Sequence, residues 1–304
     1  VAGNEGGFAG GFGTMVGSAL FNLLIIPSAV LGTLLYTKQK EDVLDSLSVR
    51  NSLWRDAIFL LVGQGLLLIL VRPTMYWWNG LLLMLFYGFY LWFILARNRQ
   101  ESKGNVHKTR EVEEVIAKES NSKERSVLSA IMRLDIYSTF TQKKGVNGIS
   151  AWATLFVAML FMGTSCLFLV YLCEELGELL NIPIIVIALV IAASATSVPD
   201  LFISVRDAKK GNTADALSNA LGSNIFDLCF ALGLPMFLYV LLSDQGVLNA
   251  FEHKGEWAFS VVLRWVMIIL TVPAVLLLII PKLSIKQKSS GLLILYCLFL
   301  LLVF

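Results

Sequence analysis

The segment LGSNIFD at residues 221–227 is echoed by VGSALFN at 16–22. Each copy sets a Gly-Ser pair inside an apolar run and follows the serine, four residues later, with Asp227 or Asn22. On a helix that spacing brings Ser223 and Asp227 onto one face, and Ser18 and Asn22 likewise. A polar phrase written twice, nearly 200 residues apart in apolar surroundings, points to an internally repeated membrane protein with a site where the copies meet.

The composition agrees. The 304 residues are 57% hydrophobic and 15% charged, with mean hydropathy +0.74, too apolar for a water-soluble globule. Eight runs are long enough to cross a bilayer as helices: 10–36, 54–72, 75–97, 151–177, 182–207, 214–243, 257–281 and 290–304. Pro73, in VRPTMYWW, separates the second from the third. The expected fold is therefore all-α and polytopic. A polar segment at 98–150 divides the chain into membrane halves 1–97 and 151–304. That segment reads as a cytoplasmic loop with a short amphipathic helix near 126–137, and it contains no EF-hand pattern.

A formal charge of +2, with the basic residues in loops, gives no basic face for nucleic acid. Cys166, Cys173, Cys229 and Cys297 lack CxxC spacing and read as small buried hydrophobes, while His107 and His253 lie in polar loops. No HExxH, nucleophile elbow or nucleophile–base pair is present, so the chain is not expected to be an enzyme or to carry a cofactor. It opens on VAGNEGG without a signal-peptide pattern and reads as cut at its N-terminus.

Lys and Arg concentrate in alternate loops, 37–55, 98–150, 206–215 and 281–290, which places those loops in the cytoplasm. With eight crossings both chain ends fall outside. The two copies of the phrase then face opposite ways, the arrangement of an inverted-topology repeat, from which many secondary transporters build a midplane site.

The preceding motif, ASATSVPD at 193–200, supplies matching chemistry. Helical spacing lines up Ala193, Thr196, Ser197 and Asp200. Pro199 withholds an amide from the carbonyl of Ala195, which is expected to open that turn and bare backbone oxygens. Carbonyl, hydroxyl and carboxylate oxygens suit hard cations such as Na+ or Ca2+. Two carboxylates at membrane depth each cost about 2.5–3.5 kcal/mol and need a partner; with no basic residue at that depth in these segments, a bound cation or proton is expected. The glycines of each Gly-Ser pair have close helix packing as an alternative role. Thr196 and Ser197 have bonding to helix carbonyls as theirs. Asn219 and Asn224 are secondary candidates.

These residues carry a resemblance. ATSVPDLFISVRDAKKGNTADALSNALGSNIFDLCFALGLP resembles the second repeat of the cation/calcium exchanger superfamily, and GGFGTMVGSALFNLLIIPSAVLG resembles the end of its first repeat. RDAIFLLVGQGLLLILV and WWNGLLLMLFYGFYLWFILARN are similar to the K+-dependent Na+/Ca2+ exchangers in particular. The resemblance implies a ten-helix antiporter of two inverted halves, with Ca2+ and Na+ competing for one central site. It also implies ligands from the Ala193 carbonyl, Thr196, Ser197, Asp200, Ser223 and Asp227, and from Ser18 and Asn22 in the first repeat. The acid at Asp227 resembles the K+-dependent branch. Ala195 stands where the family has Gly, and the first-repeat Pro-Glu motif, with two of the ten helices, is expected upstream of Val1. The expected function is antiport of Na+, with or without K+, for Ca2+, most naturally at the plasma membrane, with the helices near 10–36 and 151–177 sliding past the fixed site. The alternatives are H+ coupling and a non-transporting fragment or partner subunit.

Overall fold

The structure is a computed structural model and describes residues 7–37, 47–102, 148–180, 182, 184–243, 246–249, 254–281 and 283–303. The helix expected near 126–137, His107 and His253 lie outside the described residues. Two compact units are formed, one by 1–91 with 173–304 and the other by 92–172. All the site residues lie in the first.

Eight helical spans among the described residues are long and apolar enough to cross a membrane, and they match the eight apolar runs. The first is built from α1 (Gly7–Leu20), a five-residue π-helical turn π1 (Phe21–Ile25) and α2 (Ile26–Tyr36). Then come α3 (Leu47–Leu70), α4 (Trp77–Ser102) and α5 (Gly148–Leu180). The fifth span joins α6 (Ile184–Ile187), π2 (Ala188–Ala192) and α7 (Ala193–Lys209). The sixth joins α8 (Thr213–Phe226), π3 (Asp227–Ala231) and α9 (Leu232–Leu242), and α10 (Lys254–Ile279) and α11 (Ile285–Val303) complete the series.

The repeat is visible in the backbone. In each copy a five-residue π turn is followed by an 11-residue α-helix, π1 by α2 and π3 by α9. Each π turn is closed by an amide bonded to the carbonyl five residues back, Ile26 to Phe21 and Leu232 to Asp227. Asp227 is the first residue of its wide turn and Asn22 the second residue of its own.

Pro73 separates α3 from α4 as the sequence indicates, but the link is more ordered than a simple break. Thr74–Met75 forms a two-residue strand, β1, antiparallel to Leu248–Asn249, β2. Asn79 holds the corner, its Nδ2 donating to the Leu70 carbonyl at 2.7 Å.

Helix α1 packs against the wide turn π2 and against α6, α7 and α10. The contact is close because Gly13 and Gly17, four residues apart, lie against the carbonyl oxygens of Ile185 and Leu189, also four apart. A Cβ on Gly13 would stand 2.6 Å from the first oxygen, and one on Gly17 would stand 1.8 Å from the second. Small residues at this spacing let two membrane helices approach along their backbones. The cysteines depart from expectation: Cys173 and Cys229 are buried, but Cys166 and Cys297 are exposed. The latter two stand on outward helix faces, where an apolar sequence context is satisfied by lipid as well as by a core.

Candidate functional site

Six of the eight residues singled out in the sequence share one hydrogen-bond network. Ser18 Oγ donates to Asp227 Oδ2 at 2.7 Å and lies 2.9 Å from Ser197 Oγ. Since Ser18 has one hydroxyl proton and it points at the carboxylate, Ser197 is the donor to Ser18. Asn22 Nδ2 reaches Ser223 Oγ at 3.4 Å and Asp227 Oδ2 at 3.5 Å, and Ser223 Oγ donates to Asp200 Oδ2 at 2.5 Å. Every donor in the chain runs toward a carboxylate: Ser197 to Ser18 to Asp227, and Asn22 to Ser223 to Asp200.

Five elements position these groups. Ser18 and Asn22 come from α1 and π1, Ser197 and Asp200 from α7, and Ser223 and Asp227 from α8 and π3. Ser18, Asn22 and Ser197 are buried, while Asp200, Ser223 and Asp227 are half-buried. Asn22 is wholly enclosed, and its Oδ1 has no hydrogen-bond partner among the described residues. A buried amide oxygen without a donor is costly, and it belongs to the side chain whose Nδ2 lies 3.5 Å from the Asp227 carboxylate.

Thr196 and Ala193 occupy a different position. Thr196 Oγ1 donates to the carbonyls of Ala192 and Ala193, both at 3.0 Å, so the hydroxyl and the Ala193 carbonyl are engaged with each other within their own helix. This is the back-bonding alternative for Thr196; Ser197, one residue on, turns to Ser18 instead. The backbone opening is also displaced from where Pro199 suggested. Pro199 stands inside a continuous α7, and the wide turn lies upstream at π2, immediately before Ala193.

A cavity of about 460 Å³ opens beside the network. Ser18, Thr196 and Asp227 form its polar end, and Phe12, Met15 and Met236 are among its apolar walls. Asn219 is not in the network: its Nδ2 donates to Ser204 Oγ at 3.0 Å. Asn224 is buried with neither amide atom partnered among the described residues.

A second polar cluster was not legible in the sequence. Asp56 is fully buried, and Arg55 grips it through Nε at 2.7 Å and Nη2 at 3.1 Å. Tyr90 and Ser218 complete its shell. The signal was the charged pair at the head of RDAIFLL, which its place at the edge of an apolar run made look like an interfacial flank.

Comparison with known proteins gives a consistent result. The family model described as sodium/calcium exchanger protein matches residues 3–96 and 150–304. A probable sodium/potassium/calcium exchanger of Drosophila melanogaster is 36% identical over 93 residues, 31% of this chain and 15% of that protein. Human sodium/potassium/calcium exchanger 3 is 35% identical over 133 residues, 43% of this chain and 20% of its own length. The matched stretches thus amount to a fifth or less of these relatives. The crystal structure of the H+/Ca2+ exchanger CAX superposes with a TM-score of 0.60 at 14% identity, covering 98% of this chain and 67% of that one.

Proposed function

The chain belongs to the sodium/calcium exchanger protein family, and from that premise we propose that it takes part in antiport of Na+ for Ca2+, with K+ carried alongside Ca2+, through the network around Asp200 and Asp227. The observation that carries the reading is the convergence of two carboxylates, three hydroxyls and a buried asparagine amide from both copies of the repeated phrase and from the motif at 193–200. Oxygen-only donors in that number suit Ca2+, which takes six to eight of them at about 2.3–2.6 Å. When the hydroxyl protons rotate away from the carboxylates, the oxygens of Ser18, Ser197 and Ser223 become ligands. When Ca2+ leaves, the same oxygens serve Na+, so alternate occupancy produces exchange without covalent chemistry. The similarity of this chain to relatives named a probable sodium/potassium/calcium exchanger and sodium/potassium/calcium exchanger 3 supports K+ as a co-transported ion. In this reading Asp227 supplies the extra negative charge, and the basic loops face the cytoplasm.

The test is Na+-gradient-driven 45Ca uptake into vesicles from cells expressing the protein, run separately with K+ present, with K+ absent and with a pH gradient in place of Na+. Asp200→Asn is expected to abolish uptake, and Asp227→Asn to remove the response to K+. Uptake near wild type with Asp200→Asn, or uptake driven only by the pH gradient, defeats the reading.

A further inference from the structure

The Asp56 cluster has no part in the exchange reading, yet it is built with more care than an incidental ion pair. Asp56 Oδ1 accepts from Arg55 Nε at 2.7 Å and from Tyr90 Oη at 3.3 Å; Oδ2 accepts from Arg55 Nη2 at 3.1 Å and from Ser218 Oγ at 2.5 Å. Arg55 Nη2 also donates to Ser218 Oγ at 3.2 Å. Both oxygens are saturated and the charge is already balanced by Arg55, so the cluster has no vacancy for an ion. Its members come from three helices: α3 gives Arg55 and Asp56, α4 gives Tyr90, and α8 gives Ser218.

What the cluster touches is the helix that carries half of the candidate cation site. Ser218 precedes Ser223 by five residues of α8, about 7.5 Å along the axis. Tyr90 reaches closer still. A Cβ placed on Gly222 would lie 3.3 Å from the Tyr90 hydroxyl, so the glycine next to Ser223 is where that hydroxyl rests. α8 is thus held at two heights by groups that converge on one carboxylate. The contacts this placement serves have little tolerance. Asn22 reaches Ser223 and Asp227 at 3.4 and 3.5 Å, at the outer limit of hydrogen bonding, and a small rotation or slide of α8 breaks both.

We infer that Asp56 is a positioning residue for the cation site: through Ser218 and Tyr90 it fixes the height and rotation of α8, and with them the placement of Ser223 and Asp227. A fully satisfied buried polar cluster specifies one arrangement of three helices where apolar packing alone admits several. The inference rests on the exchange reading only in that the site it serves is the one proposed above.

The test uses variants that leave the Arg55–Asp56 pair intact, Ser218→Ala and Tyr90→Phe, with Ser218→Thr as the variant that keeps a hydroxyl. Gln64→Met serves as the control, since it breaks a hydrogen bond at least as buried, Gln64 Nε2 to Thr271 Oγ1 at 2.8 Å, between α3 and α10. Two quantities are measured on purified protein in lipid nanodiscs: amide hydrogen exchange across 219–227, and half-saturation of 45Ca binding. Ser218→Ala and Tyr90→Phe are expected to speed exchange across 219–227. They are also expected to raise half-saturation about three- to tenfold at unchanged maximal binding, the effect of one buried hydrogen bond. Ser218→Thr and Gln64→Met should leave both quantities near wild type. The inference is overturned if exchange across 219–227 is unchanged in both test variants, or if it rises while half-saturation stays within about twofold of wild type. Faster exchange in the variants, with no Ca2+ binding by the wild type, refutes the exchange reading and supports the hold of Asp56 on α8.

Discussion

Replacing Gly17 by Ala tests how the candidate site is assembled. The new Cβ would lie 1.8 Å from the Leu189 carbonyl oxygen and 2.6 Å from the Cβ of Ala193. Both obstacles belong to or adjoin the backbone of π2, so no side-chain rotation relieves them. To reach the ~3.3 Å of the shortest ordinary carbon–oxygen contact, α1 must back away by about 1.5 Å. Ser18 is the next residue and moves with it, carrying the 2.9 Å contact to Ser197 and the 2.7 Å bond to Asp227 out of range. Overpacking of this kind costs roughly 1–3 kcal/mol, and each lost hydrogen bond adds roughly 1 kcal/mol. Gly17→Ala is therefore expected to lower thermal stability in detergent by roughly 5 °C or more, measured by fluorescence-detected size exclusion, and to abolish 45Ca binding. The counterpart substitution is the control. Gly222→Ala meets only the end of the Tyr90 side chain at 3.3 Å, a contact that a small ring movement relieves, so its stability should stay within about 1 kcal/mol of wild type. If Gly17→Ala folds and binds like wild type, or if the two glycines prove equally sensitive, the packing argument fails.

Arg264 provides a structural comparison away from the site. It is buried, donates to the carbonyls of Leu67 and Val71 at the end of α3, and stacks over Trp257 at 4.8 Å. Arg264→Leu is expected to cost roughly 2–4 kcal/mol by leaving those carbonyls undersatisfied, with Ca2+ half-saturation unchanged; loss of binding at retained stability would contradict this. The cysteines give a check on burial: N-ethylmaleimide should modify Cys166 and Cys297 in folded detergent-solubilised protein, and Cys173 and Cys229 only after denaturation. Rapid modification of Cys229 in the folded protein would place its helix face wrongly.

The helical spans and the central network were legible because they rest on short-range rules. An apolar run of sufficient length must be a helix in lipid, since its amides have no other partner, and every span found lies within a few residues of its run. Ser223 with Asp227 followed from spacing, and Ser18 with Asn22 from the echo of that phrase and the family resemblance. Thr196 and Ser197 could not be told apart this way, because adjacent residues differ by about 100° around a helix. Which of them faces the partner is decided by how α1 docks. Asp56 was lost for a related reason: its partners Tyr90 and Ser218 are 34 and 162 residues away. A charged pair at the edge of an apolar run looks interfacial until the fold brings those hydroxyls to it.

The wide turns were the least legible feature, and they explain why the site forms where it does. An unbroken α-helix offers neither free carbonyls nor a change of face. All three spans that build the network contain a π turn, and each also carries a proline: Pro27 in α2, Pro199 in α7 and Pro235 in α9. Four residues before Pro27 and Pro235 stand Leu23 and Ala231, both within π turns. Each proline withholds the amide that an α-helical continuation would give to a carbonyl of its wide turn. The π turn and the proline thus reinforce one another, the inserted residue widening the ladder and the missing amide preventing its closure. Such irregular backbone is tolerated at membrane depth only where protein or a polar cavity surrounds it. Asp227 opens one of these turns, Asn22 is the second residue of another, and Ala193 directly follows the third. The sequence shows the prolines but not the inserted residues, which is why Pro199 drew attention to the turn at Ala195 when the opening lies at 188–192. A polar network where the three spans that carry such turns meet is therefore the consequence of how these helices are built, since it lies where their polar side chains are turned toward one another and away from lipid.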